Sequence, residues 1–386
     1  MKRKLRMGML GGGDGAFIGA IHRCAALMDN HIELVCGCFS SNAQKSIESG
    51  KKLLLDESRI YTSFSEMIEK EASLPEDIRM DFLSIVTPNH VHFEPAKMAM
   101  EYGFDVVLDK PMTYSLEQAK ELKRIVEATG KTLALTHTYS GYPAIKEAKE
   151  RIARGDFGKI RKIFTEYPQG WLTDRAELNP TSNAGWRTDP KRSGKAGCMG
   201  DIGTHALHLA EYVSGARCTE LCAEVSTFVE GRLLDDDGAA LLRFDNGATG
   251  TLMASQVCAG EENALKLRIY GENGGMEWNQ HEPNTLILKW KDRPLELVRT
   301  GNGYMGDLAK ANTRTPGGHP EGYVEAFANI YRNFAKTVMA KKQGQEPERE
   351  WLDFPGVDDG VRGLQFIETI IKAGSDNSQK WVKWIE

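Results

Sequence analysis

Leu5-Arg6-Met7-Gly8-Met9-Leu10-Gly11-Gly12-Gly13-Asp14-Gly15-Ala16-Phe17-Ile18-Gly19-Ala20-Ile21-His22-Arg23 is the stretch whose reading decides the fold. Residues 5–10 form a short apolar run that reads as a strand, and three glycines follow it directly. Gly19 then opens a helical pattern that continues to about Met28. Glycines at such a turn permit a sharp reversal and let backbone N–H groups approach a pyrophosphate at the helix N-terminus. The spacing departs from plain G-x-G-x-x-G. With Gly11 and Gly13 in the first two places, Asp14-Gly15-Ala16 is a three-residue insertion before Gly19. Any strand-to-helix turn can use glycine, so the loop gains weight only from its surroundings.

Those surroundings alternate. Residues 32–38, 81–86, 105–108 and 132–136 read as further strands, with helical spacing over 95–101 and 116–128. Strand, helix, strand in this rhythm implies crossover connections and a parallel sheet, which binds ligands at the carboxyl ends of its strands. After residue 158 the rhythm changes. Strands are read at 159–166, 220–229, 239–244, 248–255, 265–270, 284–289 and 295–299, with few helices between them. Asp245-Asn246-Gly247 is a tight-turn signal for an antiparallel hairpin. Helices return at about 323–340 and 357–373. The fold class is therefore α/β: an N-terminal Rossmann dinucleotide-binding domain over 1–138, and a C-terminal α+β domain with a large open, mostly antiparallel sheet over 139–386. The boundary falls between His137 and Tyr142.

Bulk properties narrow the function classes. A chain of 386 residues exceeds one compact core. A net charge of −5 argues against a nucleic-acid partner, which would leave a basic excess. No apolar run is long enough to cross a bilayer, and the basic opening Met-Lys-Arg-Lys lacks the apolar stretch of a secretory signal. The seven cysteines are odd in number, scattered and without zinc-ligand spacing. They read as reduced thiols of a cytoplasmic protein that holds no metal.

The turn after the second strand bears on the cofactor. An acidic side chain there would hydrogen-bond a ribose hydroxyl and repel a 2′-phosphate. The chain reads Phe39-Ser40-Ser41-Asn42-Ala43-Gln44-Lys45, without a carboxylate. Ser40 and Ser41 hydroxyls with Lys45 could receive a phosphate, which tilts the NAD(P) reading toward NADP. The same residues also read as a plain turn followed by a solvated helical lysine.

Three segments carry the candidate chemistry. Thr87-Pro88-Asn89-His90 follows the strand at 81–86, and Asp109-Lys110-Pro111 follows the strand at 105–108. Both lie on the ligand edge of the expected sheet. Gly200-Asp201-Ile202-Gly203-Thr204-His205 opens a helix in which Asp201 and His205, four apart, share a face. Each has a plainer reading: a surface turn, a helix N-cap, or a packed histidine.

Taken together, the segments resemble the glucose–fructose oxidoreductase/inositol dehydrogenase family, Gfo/Idh/MocA. Asp109-Lys110-Pro111 is similar to that family's Glu-Lys-Pro motif with Asp for Glu, and Asp201-Ile202-Gly203-Thr204-His205 to its Asp-x-Gly-x-His motif. Trp186-Arg187 and residues 194–197 resemble the segment leading into the second motif, and the similarity spans essentially the whole chain. The Gly15-to-Arg23 version of the phosphate loop is unlike most members and suggests a distinct subgroup.

The resemblance implies that Lys110, Asp201 and His205 are catalytic. His205 would be the base. Lys110 would hydrogen-bond the reacting oxygen, and Asp201 would orient the imidazole or bind a neighbouring hydroxyl. It also suggests a cis Lys110–Pro111 bond. Gly11, Gly13, Phe17, Ile18, Ser40, Ser41, Lys45, Thr87, Pro88, Asn89, His90, Asp109, Lys110 and Arg187 are the expected cofactor contacts. His137, Tyr139, Trp186 and His319 are expected to join the catalytic three around the substrate, with buried packing as the plainer reading of Trp186 and a solvated loop that of His319. His208 reads as packed. The implied activity is hydride exchange between NAD(P) and a secondary hydroxyl of a cyclic polyol, sugar or glycoside, in a homodimer or homotetramer. Two alternatives stay open: a glycosidase that oxidises its sugar transiently with bound NAD, and a non-catalytic NADP-binding regulatory protein.

Overall fold

In the computed structural model, which describes residues 3–179, 182, 184–376 and 378–386, the alternating first third of the chain forms one parallel sheet. Met1 and Lys2 of the basic opening lie outside the described residues. The strands are β1 (Leu5–Gly11), β2 (Ile32–Cys38), β3 (Phe82–Val86), β4 (Asp105–Leu108) and β5 (Leu133–Leu135), in the order β2-β1-β3-β4-β5. Every pairing is parallel. All five residues of β3 are buried, as a strand covered on both faces requires. The crossovers are α1 (Phe17–Leu27), α2 (Ala43–Lys52), α3 (Phe64–Ser73), α4 (Phe93–Glu101) and α5 (Leu116–Thr129). Asn42, Ser63 and Ser115 cap α2, α3 and α5 through their side chains. The helix α3 is absent from the sequence reading; Phe64, Met67 and Ile68 are its only large apolar residues, a short signal among polar neighbours.

Strand order places β2 on one side of β1 and β3 on the other. The carboxyl ends of β1 and β3 therefore flank the point where the chain's winding reverses, the usual ligand crevice of such sheets.

The compact units group the chain differently from the expected domains 1–138 and 139–386. One compact unit comprises Met1–Gly141 and Tyr323–Val361, and the other Tyr142–Gly322 and Arg362–Glu386. The cause is the helix Tyr323–Lys342. Phe327, Ile330, Tyr331, Phe334 and Val338 recur along it at helical spacing and are buried with Leu5, Met7, Phe82, Val107 and Ala134 of the parallel sheet. The Phe334 ring meets Phe82 edge-on at 5.0 Å. Each such side chain removed from water contributes about 1.5–3 kcal/mol. The periodicity reveals the helix, but not which sheet its apolar stripe covers.

The second unit is built on a nine-stranded sheet. Its strands are β6 (Lys162–Pro168), β7 (Cys218–Ser226), β8 (Asp237–Phe244), β9 (Thr249–Ser255), β10 (Lys266–Tyr270), β11 (Gly274–Asn279), β12 (Thr285–Trp290), β13 (Glu296–Arg299) and β14 (Val382–Lys383). The order is β13-β12-β11-β10-β6-β9-β8-β7-β14, antiparallel throughout except β6 with β9. The hairpin signal is met: β8 and β9 pair antiparallel across Asp245-Asn246-Gly247, with Gly247 at φ 83° and Asn246 Oδ1 accepting the Ala248 N–H. Along β8, Ala240, Leu242 and Phe244 point inward, whereas Ala239, Leu241 and Arg243 are exposed. The helix Thr204–Ser214 and α6 (Pro143–Ala153) pack together, the former also covering β6 and β9. The sequence reading lacks β11 because it opens on Gly274-Gly275, which have no side chains to alternate. No helix among the described residues is long and apolar enough to cross a membrane. All seven cysteines are free, and no group of side chains among the described residues could hold a metal ion.

Candidate active site

In the first unit the site is built on the carboxyl ends of β1, β2, β3 and β4. β1 ends on Gly11, and Gly11 and the following Gly12 take φ 82° and 68°, a region side chains rarely tolerate. The strand and α1 touch where Gly12 meets Gly19: a Cβ on Gly19 would lie 2.3 Å from Gly12 Cα. Arg23 Nη1 ties the turn by donating to Gly12 O at 2.7 Å. Gly13, an expected cofactor contact, is tied to the end of β2. Its N–H donates to Phe39 O at 3.2 Å, and a Cβ there would meet that oxygen at 2.7 Å, so Gly13 packs against the end of β2. Ala16 leaves α1 without a side-chain cap, and its first turn holds no acidic residue. The first N–H groups of α1 thus remain open to an anion. Phe17 is exposed, while the Ile18 side chain packs with Met9, Phe39 and Val86. The Ile18 side chain is half-buried.

Beyond β2 the plain-turn reading describes the side chains. Ser40 Oγ accepts the Asn42 N–H at 3.2 Å, and Asn42 Oδ1 accepts the Lys45 N–H at 2.9 Å. Ser41 and Lys45 are exposed. Lys45 lines a depression of about 460 Å³ with Asp14, Asn42, Gln44, Glu48 and Ser49. Asp14 pairs with Lys52 at 2.5 Å, and that hydrogen bond and charge hold its carboxyl below the usual carboxylate range.

At the end of β3, Asn89 is buried and His90 is exposed. At the end of β4, the Lys110–Pro111 bond is cis, as the family resemblance implied. Asp109 Oδ1 accepts both the Lys110 N–H at 2.9 Å and the Thr136 hydroxyl at 2.7 Å. Sequence reasoning missed His92, which bridges the two loops. Wholly buried, it sets Nε2 2.7 Å from Thr87 O and Nδ1 3.0 Å from Pro111 O. Burial holds its pKa below the ordinary value.

In the second unit the segment expected to begin as an ordinary helix makes a π turn over Met199–Gly203 before the helix Thr204–Ser214. Such turns are rare and frequent at functional sites. Asp235 fastens it, accepting the Gly197 and Met199 N–H groups at 2.6 and 2.7 Å, and burial pushes its carboxyl up to about 6. Asp201 Oδ2 accepts Gln256 Nε2–H at 2.9 Å and lies 3.6 Å from Arg187 Nε. The Arg187 guanidinium stands 4.4 Å over the half-buried Trp186 ring and 5.9 Å from that of Trp171. Trp171 is 40 % exposed, and its Nε1–H donates to Gln169 Oε1 at 3.0 Å. His205 is buried, with the Tyr167 ring 6.4 Å away.

The unit thus gathers Arg187, Trp186 and Asp201 at one place, one helical turn from His205. Gln256, Asp235 and Trp171 were not foreseen. Gln256 directly follows β9, a strand end that could have flagged it. Of the remaining candidates, His137 and Tyr139 are buried in the first unit, Tyr139 against Tyr323 at 6.3 Å. His208 stacks on Tyr212 at 5.8 Å, the packed role expected of it. His319 stands on an exposed turn, with Nδ1 3.3 Å from Pro316 O.

Comparison with known proteins agrees over the whole chain. Residues 5–137 match the model of an oxidoreductase family with an NAD-binding Rossmann fold, and residues 145–277 match the GFO/IDH/MocA C-terminal domain. The uncharacterised oxidoreductase YfiI of Bacillus subtilis (strain 168) is 31% identical over 100% of this chain and 98% of its own length. An oxidoreductase of Sinorhizobium meliloti has a solved structure with 40% identity and a TM-score of 0.89, each chain covered completely. An inositol dehydrogenase homologue from Azotobacter vinelandii, solved with NAD+, is 32% identical with a TM-score of 0.94 over 100% of this chain and 98% of its own. The same homologue has also been solved with NADH and myo-inositol, at 31% identity, a TM-score of 0.91 and the same coverage.

Proposed function

Since the chain belongs to the Gfo/Idh/MocA family of oxidoreductases, we propose that it oxidises, reversibly, a ring secondary hydroxyl of a cyclic polyol, sugar or glycoside with a nicotinamide dinucleotide. One observation carries the reading. The glycine turn with its uncapped helix, Thr87-Pro88-Asn89 and Lys110 all stand at the carboxyl edge of the same parallel sheet, at the ends of β1, β3 and β4.

The residues fit the dinucleotide. The open N-terminus of α1 suits a pyrophosphate, and the turn holds its shape through the Gly12–Gly19 contact. A bound nicotinamide ring supplies the hydride chemistry. Lys110 donates to the reacting oxygen, stabilising negative charge as the alcohol is oxidised and polarising the ketone in the reverse direction. His205 removes the hydroxyl proton and returns it. Asp201, held by Gln256 and Arg187, keeps a fixed carboxylate for a neighbouring substrate hydroxyl or for the imidazole. Trp186 and Trp171 offer ring faces beside it for the apolar face of a sugar or cyclitol. The Azotobacter homologue solved with NADH and myo-inositol supports this substrate class.

For the coenzyme we infer NAD, against the tilt drawn from Ser40, Ser41 and Lys45. Ser40 Oγ and Asn42 Oδ1 are already used within the turn, and Asp14 and Glu48 line the same depression as Lys45. Lys52 is paired with Asp14, so no cationic excess is left for a 2′-phosphate. We further infer a homo-oligomer closed over the outer face of the large sheet, where Leu241 and Leu297 are exposed, and a cytoplasmic location consistent with seven free cysteines.

The test is nicotinamide absorbance over a panel of inositols, sugars and glycosides, with NAD against NADP. Lys110→Ala and His205→Ala should each lower turnover at least about 100-fold while dinucleotide binding persists. Full activity in both variants would remove the assignment. Sugar release without accumulation of reduced coenzyme would favour the glycosidase alternative, and tight binding without turnover the regulatory one.

A further inference from the structure

A chain of polar side chains runs through the interior of the first unit and ends on Asp109. Ser84 Oγ lies 2.8 Å from Tyr331 Oη, Tyr331 Oη lies 2.7 Å from His22 Nδ1, and His22 Nε2 lies 4.0 Å from Asp109 Oδ2. Ser84, Tyr331 and His22 are wholly buried, and only the Asp109 carboxylate reaches solvent. The second Asp109 oxygen holds the Lys110 N–H and the Thr136 hydroxyl. Asp109 is thus the joint between this buried chain and the lysine after β4.

Proton placement along the chain follows from donor and acceptor chemistry. The carboxylate's negative charge 4.0 Å from Nε2 favours the tautomer that carries the ring proton on that nitrogen. His22 Nδ1 is then the acceptor, Tyr331 donates to it, and Ser84 donates to Tyr331. Every donor points toward Asp109. Burial pulls the His22 pKa down to about 4, so the ring is neutral and holds a single proton. Among the described residues His22 Nε2 has no hydrogen-bond partner, and it faces Asp109 Oδ2 across a gap longer than a hydrogen bond. The chain ends at Ser84 on the buried strand β3. It is therefore suited to hold a group in place and not to pass protons.

We propose that His22 is a positioning residue, directing the Asp109 carboxylate that holds the Lys110 backbone in register for the reaction. The proposal rests on the reading of Lys110 given above. It also accounts for Asp where the resembled motif has Glu. One further methylene, about 1.5 Å, would have to be taken up within the 4.0 Å between carboxylate and imidazole.

The test compares His22→Gln, whose amide can donate toward Asp109, with His22→Leu, which fills space without a donor. Expected are a kcat within threefold of wild type for the first and at least tenfold lower for the second. NAD affinity should stay within twofold for both. Asp109→Glu should lower kcat in the wild-type background and recover it partly with His22→Ala. Independently of turnover, NMR of the ¹⁵N-histidine-labelled full chain should find His22 as the neutral Nε2–H tautomer, its ring signals shifting in Asp109→Asn. A wild-type kcat in His22→Leu, or an Nδ1–H tautomer, overturns the proposal. Absence of turnover in the wild type with the Nε2–H tautomer present overturns the activity and leaves the His22–Asp109 pairing standing.

Discussion

Replacing Gly19 by alanine probes the geometry on which the dinucleotide reading depends. The added methyl would sit 2.3 Å from Gly12 Cα, 2.6 Å from its oxygen and 2.8 Å from its carbonyl carbon. All three are backbone atoms, so no side chain can swing aside. Reaching ordinary contact at about 3.4–4 Å requires α1 to withdraw from β1 by roughly 1 Å or more. Overpacking of this kind costs about 1–3 kcal/mol. The N–H groups at the start of α1 would move with it, and misplacement by about 1 Å can cost on the order of 100-fold. Gly15→Ala is the matched control. Gly15 has φ 80° but nothing within 4 Å of its would-be Cβ, so alanine there meets backbone strain of about 1–2 kcal/mol without displacing the helix. Thermal unfolding and titration with NAD, followed by fluorescence, should show Gly19→Ala losing binding much more than Gly15→Ala at comparable loss of stability. If Gly19→Ala binds NAD like the parent, with an unchanged melting temperature, the close strand–helix approach does not organise the site.

Two other outcomes follow from buried polar groups. His22 titrates at 6.5 when unperturbed and at about 4 in the folded chain; because the folded pKa is depressed, its contribution is complete above pH 6.5 and is lost as pH falls toward 4. At about 1.4 kcal/mol per pH step the loss is about 3 kcal/mol, and His92 acts in the same direction; urea unfolding from pH 7.5 to 4.5 should give His22→Gln a flatter profile than the wild type, and parallel profiles would refute the shift. Gln256→Leu removes the 2.9 Å donor to Asp201 and should lower kcat/KM about 10-fold, roughly the worth of a hydrogen bond to a charged group, leaving the NAD dissociation constant unchanged; an equal loss of NAD affinity would place Gln256 in the cofactor site.

Much of the site was legible because local chemistry fixes it. A parallel sheet follows from alternation, and the positions of Thr87, Asp109 and Lys110 follow from strands that end where apolar runs end. Glycine roles were only partly legible. Gly11, Gly12 and Gly13 are identical letters, and which one meets Gly19 and which meets Phe39 O depends on the path of the chain. The helix Tyr323–Lys342 was legible as a helix but not as part of the first unit. Its stripe of apolar residues is the pattern any core-facing helix shows, and the partner surface lies about 200–330 residues away in sequence.

The buried polar network was least legible, and the reason is physical. His22 looks like one more residue on a helix whose apolar neighbours suffice to explain it. Its meaning requires Tyr331 and Ser84 on one side and Asp109 on the other, brought together by β3, β4 and a helix from the far end of the chain. A lone Asp in place of Glu likewise reads as a conservative exchange. After β4, on the proposal above, it is not conservative, because the acid stands 4.0 Å from a buried imidazole and a longer one would have to fit in that gap. On that proposal the two departures from common pattern, the Gly15-to-Arg23 segment that carries His22 and the short acid before Lys110, are one structural adjustment. Lengthening the acid at 109 should be tolerated better once the imidazole at 22 is gone, whereas His22→Gln, which keeps a donor, should need no change at 109.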